Sequence, residues 1–336
     1  MSLNLDFVRG LAEHLDQNPC LDFDARVQLL YPLLDKLFNP EDLLEVELDS
    51  GLKFKYYYKS NIAKEILLRS RKRPSHVWEP MTTRLIENVL SWRSGNVLIG
   101  GAYFGDHALI AAQILHQSNS SYRVICVEPN AEQRELLDMN ANLNDLQENI
   151  FLEDSVLWSE AGLKFDLDNT DSHASVRQNN SAAYISKTID NIVGGFELDD
   201  ISLLMLDIEG SEESALKGAT QLLELPKNKA PVVIFEVHRK YVDWSEGLNR
   251  TPIIEHLHKF GYQVYALRDC QSNWELSLPK PELIPLDKVV LDGPPHGFNV
   301  VAAKESQFFD SVRFNFVENV SPKYLRHRAP SLHLPL

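Results

Sequence analysis

The chain has 336 residues, 44% apolar and 24% charged, proportions that allow a sizeable core and exclude wholesale disorder. Its 33 Lys and Arg against 48 Asp and Glu leave a net charge of −15. That balance argues against a dedicated binder of nucleic acid or anionic membrane, because phosphate neutralisation needs clustered cations.

No apolar run approaches the ~20 residues of a membrane span. Met1 to Asp6 lack the basic-then-apolar pattern of a signal peptide. Cys20, Cys126 and Cys270 fit neither a zinc spacing nor a disulfide framework, so a cytoplasmic protein with reduced thiols is expected. Residues 1–45 read as helices. Phe7, Val8, Leu11 and Leu15 recur at helical spacing, and Val27, Leu30, Leu34 and Leu37 form a second stretch disturbed by Pro32. Core packing and homodimer contact are both open as their use. Residues 44–58 predict two strands around the turn Asp49-Ser50-Gly51, with a helix over 61–69. The basic run Arg69, Arg71, Lys72 and Arg73 reads as a solvated connector or as an anion-binding edge.

From residue 80 the pattern alternates. Apolar runs at 96–99, 123–127, 150–152, 201–206, 232–235, 262–267 and 298–302 interleave with helical segments at 82–90, 107–115, 130–142, 212–223 and 251–260. Such alternation predicts an α/β fold with a mainly parallel sheet and helices on both faces. Ligands of such sheets sit at the carboxyl ends of strands, near the switch in strand order. Residues 156–186 read as an antiparallel excursion or a substrate loop.

The informative residues fall just after the apolar runs. The first ends in Gly100-Gly101-Ala102-Tyr103-Phe104-Gly105, a turn that lets backbone approach a ligand, and His107 follows as a contact for a ligand carboxylate. The second ends in Val127-Glu128-Pro129-Asn130, where a carboxylate can accept both ribose hydroxyls of an adenosine. At the third, Asp154 or Ser155 is placed to reach an adenine amino group. A Walker lysine is missing, which disfavours phosphoryl transfer from ATP. The fourth run ends in Asp207-Ile208-Glu209-Gly210 and the fifth in Glu236-Val237-His238, each with two titratable groups two residues apart. These suit a divalent metal held by Asp207, Glu209 and Glu236, fixing of a ligand ammonium, or general-base work by His238.

Together these motifs, with Trp78-Glu79-Pro80, Thr188-Ile189-Asp190 and Lys217-Gly218-Ala219, resemble the FkbM family of S-adenosylmethionine-dependent methyltransferases over roughly residues 75–305. The resemblance implies a doubly wound, seven-stranded Rossmann-like sheet with a reversed final strand. It also implies O-methylation of a hydroxyl on a sugar, glycolipid or natural product by in-line displacement. Carried over by position, Gly101, Ala102 and Gly105 line the methionine portion, and Tyr103 lies near the sulfonium by likeness to catechol-type O-methyltransferases. Glu128, with Pro129 and Asn130, holds the ribose, and Asp154 or Ser155 the adenine. Asp207 and Glu209 sit below the sulfonium, and Glu236 and His238 face the acceptor. His238, with Asp207 and Glu236, forms the catalytic set, or Mg2+ assists deprotonation. Two positions depart from the family pattern: Ile99 stands where an acid is usual and Met205 where a lysine is usual, leaving the cofactor ammonium to Asp207 or Glu79.

The resulting organisation is an accessory region of helices and a β-hairpin over 1–75, a methyltransferase domain over 76–305 and a C-terminal tail over 306–336. The expected partner is a small hydroxylated acceptor and not nucleic acid, with acceptor determinants in 156–186, 240–250 and 270–297, including Pro294-Pro295-His296-Gly297, and in Tyr56 to Tyr58. The alternatives are a nicotinamide-dependent oxidoreductase on a similar sheet and a non-catalytic cofactor-binding scaffold.

Overall fold

The computed structural model describes residues 3–20, 22–168, 175–293 and 297–335. The chain opens with α1 (Leu5–Gln17), whose first turn is capped by the Asn4 side chain accepting the Phe7 N–H. A π-helical turn over Arg26–Leu30 runs into α2 (Tyr31–Leu34). Pro32 has no N–H to give to the preceding turn, and the wider turn falls just before it. The predicted hairpin forms from β1 (Leu43–Glu47) and β2 (Lys53–Tyr57), with Gly51 at φ 88° in its turn. Phe54, Tyr56 and Tyr58 point inward from it. Then follow α3 (Asn61–Leu67), capped by Ser60, and α4 (Pro80–Trp92). The basic connector between them spends two of its charges on acids, Arg71 on Glu275 and Arg73 on Glu47.

The remaining strands are β3 (Asn96–Gly100), β4 (Val124–Val127), β5 (Ile150–Glu153), β6 (Val156–Leu157), β7 (Lys164–Leu167), β8 (Val176–Gln178), β9 (Tyr184–Lys187), β10 (Ile201–Leu206), β11 (Val232–Val237), β12 (Gln263–Arg268), β13 (Glu282–Pro285), β14 (Phe298–Ala303) and β15 (Asn315–Phe316). The later helices are α5 (Ala108–Gln117), α6 (Ala131–Leu143), α7 (Ile189–Gly195), α8 (Glu212–Lys217), α9 (Thr220–Glu224), α10 (Pro252–Lys259) and α11 (Pro330–His333).

The large sheet has the order β15-β13-β12-β14-β11-β10-β3-β4-β5. From β5 to β11 all pairings are parallel, while β14 runs antiparallel to both of its neighbours. The chain steps outward from β3 to β5, then restarts on the other side of β3 with β10, so the switch in strand order lies between β3 and β10. Successive residues of each central strand alternate between two cores. Val97, Ile99, Cys126, Met205 and Ile234 pack with α4, α5, α6 and the N-terminal helices. Leu98, Ile125, Leu204, Leu206 and Phe235 pack with α7 to α10. Burial on both faces is why these strands read as unbroken apolar runs. The N-terminal region shares the first core through Val8, Ala12, Leu30 and Leu34.

Three expectations need correction. Among the described residues the large sheet has nine strands, because the short β13 and β15 extend it beyond the seven read from the sequence. The helix expected over 212–223 breaks into α8 and α9 at Gly218, where a Cβ would stand 2.3 Å from the Trp158 carbonyl oxygen. Residues 306–335 do not trail away. Tyr324 N donates to Asp269 O at 2.8 Å, and Asp269 N donates to Pro322 O at 3.0 Å. The excursion over 156–186 is a small sheet of order β6-β9-β7-β8 with antiparallel β7–β8 and β7–β9 pairs. Its residues 169–174, like Pro294, Pro295 and His296, lie outside the described residues.

Arg268 at the end of β12 clasps the C-terminal segment. It is fully buried, pairs with Glu282, stacks on Tyr324 and donates to the carbonyls of Ser321, Leu332 and Leu334 at 2.9, 2.9 and 3.0 Å. Arg268→Ala strips Glu282 of its charged partner in a dry site. We expect a loss of about 3–5 kcal/mol in urea unfolding, with earlier proteolytic cleavage in the C-terminal segment than in the sheet.

Candidate active site

The site forms where β3, β4, β5, β10 and β11 end. After β3 the chain turns at Gly101, φ 75°, where a Cβ would stand 1.8 Å from the Asp207 carbonyl oxygen. Tyr103 takes the left-handed conformation, φ 47°, and its N–H donates to Glu128 Oε2 at 3.0 Å. Asn130 N donates to Glu128 Oε1 at 2.9 Å, so both carboxylate oxygens of Glu128 are aimed by backbone. Burial raises the Glu128 pKa and these two N–H groups oppose the rise. Asn130 itself caps α6, its side chain accepting from Glu132 N and Gln133 N.

One cavity is lined by Gly101, Ala102, Tyr103, Glu128, Pro129 and Asn130, with Ser155, His107 and Asp207 further along its wall. Ser155 Oγ is buried with no protein partner. Two expected members are placed elsewhere. Gly105 packs the turn, since a Cβ there would stand 2.3 Å from Leu109 Cδ1. Asp154 is exposed, while Glu153 and Ser155 on either side of it are buried. Glu153 accepts from Ser155 N at 3.2 Å and from Lys187 Nζ at 2.9 Å.

A second cavity adjoins the first across Ile62, Trp78, Asp207 and Glu209. Glu79, Glu236, His238 and Asp269 lie on its wall. Its outer wall is unexpected. It comes from both ends of the chain, with Phe23 and Arg26 from the N-terminal segment and Lys323 and Arg326 from the C-terminal one. Asp16 joins these ends by pairing with both Arg26 and Arg326. Arg326 also lies over the Trp274 ring, 3.9 Å from its centroid. No sequence signal marks these residues, because the segments that meet here come from opposite ends of the chain. Of the expected acceptor segments, 270–297 contributes Cys270, Gln271, Ser272, Trp274 and Gly297. Tyr56 and Tyr58 sit in the core, the use that outweighs an acceptor wall on sequence alone.

The carboxylates dominate the electrostatics. Burial pushes Asp207 well above the usual carboxylate range, and repulsion from Glu79, Glu209, Glu212 and Asp106 adds to it. Glu236 is raised by burial and then by Asp207, Glu209 and Glu79. It is also closely packed: a Cβ on Gly297 would stand 1.9 Å from its Oε1. Glu212 is pushed up to about 7 by burial although it accepts from the N–H groups of Ile208 and Gly210. Asp269, which accepts from Met81 N, Thr82 N and Cys270 N, is likewise pushed up to about 7, by burial first and Glu79 second. Burial works against the His107 cation, but Asp106 and Glu79 outweigh it and hold its pKa up to about 9. Burial lowers Lys323 to about 8, with Glu236 opposing.

The metal trio does not assemble. Among the described residues, no three His, Cys, Asp or Glu side chains are grouped to hold a metal ion. Glu209 instead meets the Tyr241 hydroxyl at 3.3 Å, and Glu236 faces Gln271 at 3.4 Å. His238 Nδ1 accepts the Lys240 N–H at 2.9 Å, which assigns the proton of the neutral ring to Nε2.

Residues 100–264 match the model of the methyltransferase FkbM domain. This segment, just under half of the chain, is similar to the FkbM methyltransferase family. Solved structures similar to the chain include an O-methyltransferase from Bacillus cereus in complex with SAH, at 10% identity over 90% of this chain and 100% of that one, TM-score 0.39. A SAM-dependent O-methyltransferase from Thermotoga maritima is similar at 16% identity over 82% and 81%, TM-score 0.34. A SAM-dependent methyltransferase from Agrobacterium tumefaciens is similar at 10% identity over 80% and 72%, TM-score 0.41. No curated protein sequence matches the chain.

The two departures from the family pattern are partners. Ile99 and Met205 stand opposite each other in the β3–β10 pairing, and both are buried. An acid and a lysine at these positions would be a buried ion pair, which an apolar pair can replace without loss of stability. Ile99→Asp alone buries an uncompensated charge, and we expect a loss of about 3 kcal/mol or more. Adding Met205→Lys should recover part of it, read as a coupling energy in a double-mutant unfolding cycle.

Raised carboxyl pKa values carry a pH signature. A group such as Asp207 keeps in the folded state a proton that the unfolded chain has already lost. Its contribution therefore favours folding at low pH and is lost progressively as pH rises above the ordinary carboxylate range. The melting temperature of Asp207→Asn relative to the parent should accordingly climb between pH 5 and pH 7.5, as scanning calorimetry would register; a constant difference would refute the repulsion.

Proposed function

We propose that the protein is an S-adenosylmethionine-dependent O-methyltransferase acting on a hydroxyl of a small acceptor: a sugar, glycolipid or natural product. The carrying observation is the adjacency of the two cavities across Asp207 and Glu209, with the ribose-type carboxylate Glu128 in one and the acid-lined chamber in the other. The residues suit the cofactor. Glu128 is held by two N–H groups with lone pairs left for ribose hydroxyls, and Ser155 Oγ offers an unused hydrogen bond at the adenine end. Gly101 keeps the turn open where a Cβ would close it, and Tyr103 and His107 line the same cavity. When bound, S-adenosylmethionine supplies a methyl group activated on a sulfonium.

The chain's own residues then divide the work. Asp207 and Glu209 supply negative charge for the sulfonium. A cation placed among the crowded carboxylates lowers their affinity for protons, which leaves Glu236 ionised and able to take the acceptor's hydroxyl proton. His238 has its Nδ1 occupied by Lys240 N–H, so it presents Nε2–H and orients the acceptor oxygen as a donor. No step is assigned to a metal. Residues 76–305 form the catalytic unit, and the segments on either side complete the acceptor chamber.

With methyl-labelled cofactor and a panel of saccharides and phenolic hydroxyls, label should appear on oxygen. Glu128→Ala should weaken S-adenosylhomocysteine binding by about tenfold or more, because charge-assisted hydrogen bonds are worth about 1.5–3 kcal/mol. His238→Gln should keep that affinity and lower turnover. Undiminished affinity in Glu128→Ala contradicts the ribose assignment, and loss of transfer on adding a chelator contradicts the metal-free step.

A further inference from the structure

Two buried polar atoms are left over beside one carboxylate. His107 is 6% exposed and its Nδ1 has no partner among the described residues, while its Nε2 lies 3.6 Å from Glu79 Oε2. Asn299 is 2% exposed and its Oδ1 has no partner among the described residues, while its Nδ2 donates to the same Glu79 Oε2 at 2.7 Å. The Asn299 amide orientation is fixed, because Nδ2 also donates to Thr82 Oγ1 at 2.9 Å, and that hydroxyl donates to Asp269 Oδ2 at 2.9 Å. So a spare donor and a spare acceptor flank Glu79. His107 lines the cofactor cavity, Asn299 and Glu79 line the acceptor chamber, and the two spaces meet at Asp207. A ligand that pairs both atoms gains over one that leaves them unpaired.

The ligand chemistry follows from the pattern. His107 offers a donor on a ring that Asp106 and Glu79 hold cationic. Asn299 offers a neutral acceptor next to the Glu79 carboxylate. An anionic acceptor and a cationic donor on adjacent atoms describe the two ends of an α-amino acid zwitterion. We propose that Asn299, on the final strand and outside the FkbM domain match, is a cofactor-specificity residue: with Glu79 it receives the α-ammonium group, while His107 Nδ1–H receives the α-carboxylate. Through Glu79, the last strand and the start of α4 thereby join the glycine turn in gripping the methionine end.

This inference rests on the S-adenosylmethionine reading, and one set of titrations separates the two. The probes are S-adenosylhomocysteine, its analogue with the α-amino group replaced by hydrogen, and 5′-methylthioadenosine, which lacks the whole amino acid end. In calorimetric titration the parent protein should bind S-adenosylhomocysteine about tenfold or more tighter than the des-amino analogue. Asn299→Leu should bring that ratio close to one and leave 5′-methylthioadenosine affinity unchanged. His107→Gln should reduce the preference for the des-amino analogue over 5′-methylthioadenosine, which reports the carboxylate alone. Equal binding of S-adenosylhomocysteine and its des-amino analogue by the parent protein overturns the inference without any variant. So does an Asn299→Leu protein that melts cooperatively and keeps the parent ratio. Should Asn299→Leu fail to fold, Asn299→Asp replaces it: an added anion beside the ammonium should widen the ratio, and an unchanged ratio overturns the assignment. A parent protein that binds none of the three probes defeats the cofactor reading itself.

Discussion

Everything at the centre of this molecule depends on keeping several carboxylates out of water and close together. Glu79, Asp106, Asp207, Glu236 and Asp269 are contributed by different elements and converge where the parallel strands end. Burying like charges is unfavourable, and the protein meets the cost locally. Backbone N–H groups at the start of α4 hold Asp269, those of the loop after β10 hold Glu212, and His107 sits as a cation among the rest. What remains is a pocket with excess negative potential and raised proton affinity. Such a pocket is complementary to a cation.

The same logic explains where the protein does not use charge. One strand pair below the site, Ile99 and Met205 fill facing positions with apolar side chains. An acid at Ile99 would add another carboxylate to a region already crowded with them. Removing acid and lysine together lowers the local charge density without leaving a partner stranded. The burden of holding a ligand ammonium then shifts to the acids already present, Glu79 and Asp207.

The acceptor side is built differently from the cofactor side. The cofactor cavity is made of turns directly following β3, β4, β5 and β10, so its geometry is set by the sheet. The adjoining chamber is closed by segments from both ends of the chain, tied by Asp16 to Arg26 and Arg326 and backed by the Arg268 clasp on the C-terminal segment. Those segments lie outside residues 100–264. A scaffold shared with the family therefore carries walls that belong to this chain, which is where discrimination among acceptors would be expected to reside.

What the sequence by itself determined was local. The unbroken apolar runs dictated the central strands because both faces are buried, and Gly101 followed from a turn that a Cβ would block. Glu128, Asp207 and Glu236 could be read because carboxylates ending apolar runs need partners nearby. At the third strand the sequence left Asp154 and Ser155 as alternatives, and it is Ser155 that is buried. The short strands β13 and β15 carried too few residues to show a pattern, and the break at Gly218 depends on the distant Trp158 carbonyl. Only the tertiary structure decided which remote side chains meet: residues 79, 107 and 299 around one carboxylate oxygen, residues 99 and 205 across a strand pair, residues 16 and 326 at the chamber mouth. Local propensity acts over a few residues and leaves a trace in their order. Convergence of distant segments is fixed by sheet order and core packing, and leaves none.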